Sequence, residues 1–182
     1  MKERDNQRSK LYKAENMFRK TYKGKPLPSV KDVEKYCASL LKSKWFKRKF
    51  PRLQVISVHD GRGHRRAVCY TDGYTLDGQP TVITIAIPLW ARNESVVLHE
   101  ICHGLIQKHK AWHGWEFAKI MTMLIQNRMG KEEAKYLKDC YKEFRVKYKA
   151  PRKISAETRI ALAERMKSLR EKGERIEAGE SI

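Results

Sequence analysis

No stretch of this 182-residue chain approaches the ~18–20 uninterrupted apolar residues that a membrane span needs. The opening MKERDNQRSK carries charge where a secretory leader has its apolar segment, so no leader is expected. An intracellular protein, cytoplasmic or nucleic-acid-associated, is the expectation. Cysteine is sparse: Cys37, Cys69, Cys102 and Cys140 stand apart without a CxxC pair. That spacing argues against a disulfide framework and predicts buried, reduced thiols. Acid is scarce too, 21 Asp and Glu against 40 Lys and Arg, giving a net charge of +19.

The excess of base is uneven. Residues 1–52 hold 17 Lys and Arg against 5 Asp and Glu, whereas residues 53–150 hold 15 against 10. A field concentrated in this way attracts polyanions through counterion release, and nucleic acid is the expected partner of the N-terminal region. The same charges would suit a membrane surface, but no strongly amphipathic anchor accompanies them. Within this region, Lys42 to Arg52 interleaves cations with Trp45, Phe46 and Phe50. Those rings either stack on unpaired bases or face the core of a helix whose lysines complement its C-terminal dipole.

The length suffices for one domain with a core plus extensions. Residues 1–28 read as a basic flexible arm, residues 29–150 as the core, and residues 151–182 as a basic C-terminal helix or tail. Ser29 is placed to cap a helix from Val30 that ends before Pro51. Three strands are expected, at 53–58, 64–70 and 81–87, with turns at Asp60–Gly63 and Thr71–Gly73. Asn93 then caps a helix carrying the apolar arc Val97, Leu98, Ile101, Cys102, Leu105 and Ile106. Further helices are expected at about 113–129, 131–148 and from Ser155 onward.

The chemistry lies in His99-Glu100-Ile101-Cys102-His103. Imidazoles four residues apart on a helix project to one side and can share a metal, with Zn–N of ~2.0–2.1 Å. Glu100 is the natural base for a water activated there. A catalytic zinc commonly has three protein ligands, so a third is required, and His109 and His113 are the candidates. His109 fits the spacing of HExxHxxGxxH, but that pattern needs a glycine where this chain has Ile106. On a continuous helix His109 would point ~120° away from His103 and lie ~9 Å further along the axis.

His99–His103 followed by His113-Gly114-Trp115-Glu116-Phe117 resembles the SprT-like metallopeptidases, the family of bacterial SprT proteins and eukaryotic Spartan, over roughly residues 30–130. The resemblance implies an α+β, zincin-like fold: an N-terminal helix, a small three-stranded sheet, the HExxH helix and the helix that follows it, with extra C-terminal helices. It implies Zn²⁺ held by His99, His103 and His113, Glu100 as catalytic base, and Phe117 packed behind the site. It also implies that the preceding strand, 81–87, aligns an extended protein substrate. Bacterial relatives often add a cysteine-based zinc ribbon, which this chain lacks. Glu116 suits either the helix dipole or a contact to a ligand histidine. Cys102 suits a packed thiol better than a ligand. The oxyanion-stabilising group is open among Tyr70, Tyr74, Arg92 and His64. The expected activity is zinc-dependent peptide-bond hydrolysis, the alternative being a nucleic-acid-binding protein whose zinc is structural or vestigial.

Overall fold

The β-branched run that ends at Pro88 becomes the middle of the sheet. In the computed structural model, which describes residues 4–63, 65–151 and 155–177, three strands form: β1 (Val55–Asp60), β2 (Val68–Tyr74) and β3 (Pro80–Ile87). Their order is β1-β3-β2, with β1 parallel to β3 (Val55 opposite Val82, Asp60 opposite Ile87) and β2 antiparallel to it. Ile83, Ile85 and Ile87 are fully buried on one face, as the two-residue period of a strand dictates. Two expectations change here. Both edges of β3 are occupied, so the strand at 81–87 has no edge left to align a substrate; among the described residues β1 and β2 are the edge strands, and of the two it is β2 that lines the large cleft described below. Thr71–Gly73 is not a turn but part of β2, irregular in register, with Asp72 Oδ2 accepting a 2.5 Å hydrogen bond from Thr84 Oγ1. The reversal falls instead at Thr75–Gln79, where Gly78 takes φ +76°.

Seven helices are present among the described residues: α1 (Arg8–Thr21), α2 (Val30–Lys42), α3 (Lys44–Lys49), α4 (Glu94–Leu105), α5 (Trp115–Arg128), α6 (Lys131–Glu143) and α7 (Ala156–Glu177). The architecture is α+β with a small mixed sheet. Ser29 caps α2 in a reciprocal box with Asp32, and Ser43 interrupts the run to Pro51 by capping α3. The helix expected over 131–148 stops at Glu143, because Arg145 turns left-handed (φ 54°) and the Val146 N–H returns to the Tyr141 carbonyl at 2.7 Å. Trp45, Phe46 and Phe50 pack on one another, with ring centroids 5.0–6.3 Å apart; Phe46 is buried in the core, and Trp45 and Phe50 pack half-buried against it.

The basic segment expected to be an arm is the largest correction. Arg8–Thr21 is helical, and Leu11, Ala14, Glu15 and Phe18 are buried. Those apolar residues recur three and four apart, so burying one stripe overrides the solvation of the lysines opposite. α1 packs on α6, α5 on α4 and α6, and α2 on β1, while α4 lies across β2 and β3.

The chain divides into Met1–Ala150 and Pro151–Ile182. The second part contains α7, whose first turn is supported by Ser155 Oγ accepting from the Thr158 N–H at 3.2 Å. Ile160, Leu162, Met166 and Leu169 are exposed. No helix among the described residues is long and apolar enough to cross a membrane.

Candidate metal centre

Asn93 starts α4 by accepting the Val96 N–H at 3.1 Å. Glu94, buried in the first turn, accepts the Lys25 N–H at 3.1 Å and ties the chain leading to α2 onto the helix. At the other end Gly104 lets the helix settle on β3: a Cβ there would stand 2.6 Å from both Cδ1 and Cγ2 of Ile83. Between these anchors His99 and Glu100 are buried and His103 half-buried. Ile106 leaves the helix in an extended conformation, and the chain returns at His113, which is 2% exposed and directly precedes the Gly114 cap of α5.

The return brings three rings together. One ligand nitrogen from each of His99, His103 and His113 lies within 4.8 Å of the others, and the Nε2 atoms of His99 and His103 are 3.2 Å apart. Two nitrogens at ~2.0–2.1 Å from a tetrahedral zinc stand ~3.3–3.4 Å apart, so this pair is already at coordination spacing. Phe117 is fully buried beneath all three rings, 4.8–5.2 Å from their centroids. His109 lies outside the cluster, exposed in the turn after α4. Cys102 packs its sulfur 3.8 Å from that of Met121. Glu116 pairs with Lys110 at 3.2 Å.

The N-terminal segment supplies groups that sequence reasoning missed. Glu15 Oε2 lies 2.7 Å from His99 Nδ1, and Asp5 Oδ2 lies 2.7 Å from His113 Nδ1. A carboxylate only accepts, so each Nδ1 carries a proton, and in the neutral ring Nε2 is then the atom whose lone pair faces the centre. The Nε2 of His113 is buried and has no hydrogen-bond partner among the described residues, a need that a cation at the centre would meet. Tyr12 lies against His99 and His113, with centroids 5.6 and 5.1 Å away; Arg8 sits over Tyr12, and Arg19 bonds Glu15 at 3.3 Å. Arg8, Tyr12, Glu15 and Arg19 recur at i, i+4, i+7 and i+11, a polar stripe beside the apolar stripe of Leu11, Ala14 and Phe18. That pattern was the available signal, masked by the lysines interspersed along the segment.

Charge follows from this packing. Burial resists ionisation of Glu15, but His99 and Arg19 outweigh it and hold its carboxyl below the usual range. Burial opposes protonation of His99, yet Glu15 keeps its pKa above the ordinary value. Burial lowers the pKa of His113 against the opposition of Asp5. Burial raises that of Glu100, with Glu15 adding to the effect and His99 resisting it.

A cleft of about 1170 Å³ opens over the cluster, walled by β2 and lined also by Tyr12, Glu100, His103, Trp112 and His113. A second hollow of about 480 Å³ reaches Trp90, Val96 and Arg19. Arg8, Tyr12, Arg66 and Glu100 line both, so Glu100 stands where the two meet. Tyr70 and Tyr74 project from β2 into the larger space. Arg92 is committed elsewhere, bonding Asp60 at 2.7 Å. His64 lies outside the described residues. Compared with protein-family models, with curated proteins and with solved structures, the chain matches none.

The donor set fits a borderline divalent cation. Three imidazoles whose ring nitrogens converge, two of them held by carboxylates at Nδ1, suit zinc, and nearby Glu15, Asp5 and Glu100 favour positive charge there.

Proposed function

We propose that this chain is a zinc-dependent metallopeptidase of zincin-like, SprT-like type, with His99, His103 and His113 as ligands and Glu100 as general base. The observation that carries the reading is the convergence of three imidazole nitrogens within 4.8 Å beside a buried carboxylate on an open cleft. When bound, zinc supplies Lewis acidity, polarising a carbonyl and making water more acidic. Glu100 takes the proton from the attacking water and passes it to the leaving amine nitrogen. Burial raises its pKa in the metal-free chain, which favours return of the proton, while a bound dication would favour the ionised form that accepts it. An extended peptide finds unpaired backbone along the outer edge of β2, which walls the cleft, and pairs there as an added strand.

The open cleft favours an enzyme over a protein with a purely structural zinc, whose site would be closed. The partner reading rests on Lys42, Lys44, Lys47, Arg48 and Lys49, all exposed and, among the described residues, without an ion pair. They form a surface for nucleic acid, so substrates are expected among nucleic-acid-associated proteins. Purified protein should contain one zinc per chain and hydrolyse a basic protein substrate. Glu100→Gln should retain the metal and lose ~10²–10⁴-fold in turnover, and His113→Ala should lose the metal. Full hydrolysis by Glu100→Gln, or undiminished zinc in His113→Ala, refutes the assignment.

A further inference from the structure

We propose that the segment Asp5–Arg19 is the retaining strap of the metal centre, with Asp5 and Glu15 as positioning residues that orient His113 and His99 toward the cation. The inference rests on the metallopeptidase reading and assigns a means of regulating that site: the hold on the metal depends on whether this segment is docked.

Three observations converge on it. First, each of two histidines meets a carboxylate from this segment at 2.7 Å through Nδ1, leaving Nε2 for the metal. Such a partner fixes the ring and increases the basicity of the ligating nitrogen. Second, among the described residues Asp5 has no side-chain partner other than His113. It lies in coil ahead of α1, and its remaining oxygen is buried without a hydrogen-bond partner. A carboxylate held in that way is unfavourable unless positive charge lies beyond the imidazole it touches. Third, the segment is pinned from its far side. The Gln7 amide makes a pair of hydrogen bonds to the backbone of Lys147, donating to its carbonyl at 3.0 Å and accepting its N–H at 2.9 Å.

These anchors differ in strength. Glu15 sits inside a packed helix and is held by Arg19 as well. Asp5 depends on His113 and on its neighbour Gln7. The coil before α1 is therefore where the strap opens, by displacement or proteolytic removal, and His113 is the ligand it frees. Release of the metal precedes any loss of the core.

The test uses the full chain, freed of metal and titrated with Zn²⁺ against a chromophoric chelator, with Co²⁺ absorption reporting coordination geometry. Asp5→Leu should bind Zn²⁺ ~10–100-fold more weakly than wild type. Asp5→Asn, whose amide oxygen still accepts from Nδ1–H, should recover most of that loss. Gln7→Ala, which touches no histidine, should release Zn²⁺ to the chelator severalfold faster with an unchanged Co²⁺ spectrum. It also carries the test should Asp5→Leu fail to fold. Wild-type affinity in Asp5→Leu, or equal losses in Asp5→Asn and Asp5→Leu, overturns the strap. If wild type binds Zn²⁺ and His113→Ala does not, either result removes the strap and leaves the metallopeptidase reading standing. If wild type takes up no Zn²⁺, the metallopeptidase reading falls and the strap with it.

Discussion

Replacing Gly104 by alanine tests how α4 is seated on the sheet. The added methyl would meet Cδ1 and Cγ2 of Ile83 at 2.6 Å and its Cβ at 3.0 Å, against the ~3.5–4.0 Å of an ordinary carbon contact. Ile83 is branched, fully buried and held in the central strand, so Cγ2 and Cβ cannot swing aside. Overpacking of this kind costs ~1–3 kcal/mol. Alanine recovers at most ~0.8–1.0 kcal/mol in helix propensity, and less this close to the end of α4. With two contacts so short, packing wins, and a net loss of about 1–2 kcal/mol is expected. Urea unfolding of metal-free protein should show it as a fall of ~0.5–1 M in midpoint at unchanged slope, taking m near 2 kcal/mol/M. The Ile83→Ala background removes the two atoms at 2.6 Å and leaves only Cβ at 3.0 Å, with the emptied space to relax into. There Gly104→Ala should become neutral or stabilising, although Ile83→Ala alone costs ~2–5 kcal/mol. The reasoning is refuted if Gly104→Ala destabilises both backgrounds equally, or stabilises the wild type.

Two further predictions concern the site and the basic surface. Glu100 must be ionised to accept a proton, and burial raises its pKa above the ordinary 4.5. In metal-free protein the Glu100 carboxyl should therefore stay protonated above pH 4.5 and ionise only as pH rises through its raised value, read by NMR titration of the side-chain carboxyl; a midpoint at or below pH 4.5 contradicts this account of its burial. Affinity for single-stranded DNA should fall steeply with salt, and Lys47→Ala/Arg48→Ala/Lys49→Ala should flatten the slope of log K against log salt by ~2 if each cation meets a phosphate. An unchanged slope in filter-binding or anisotropy titrations removes this surface from the interface.

Much of the centre was legible because its key residues are local. His99, Glu100 and His103 share three turns of one helix, and Asn93 marks where that helix begins. His113 followed from the motif it opens, since the geometry of the chain reversal after Ile106 has no signature in spacing alone. For Tyr12 and Glu15 the helical stripe was visible but what it meets was not, and Asp5 left no signal. Their partners lie about a hundred residues away, and in sequence a buried glutamate beside lysines looks like a solvated one. β2 was misread at Thr71–Gly73, where Thr-Asp-Gly has the chemistry of a turn. The ladder with β3 prevailed, and Gly73 was needed there because a Cβ would come within 2.6 Å of Thr81 Oγ1.

The pairing of Asp5 with His113 spans 108 positions of the chain. Closing so long a loop is entropically slow, and it must wait until both the first helix and the segment after α4 exist. During synthesis the earliest residues therefore remain undocked while most of the core is made. The three-histidine cluster in its final geometry is thus a late product of folding, and on the reading proposed above a bound cation would report a completed fold.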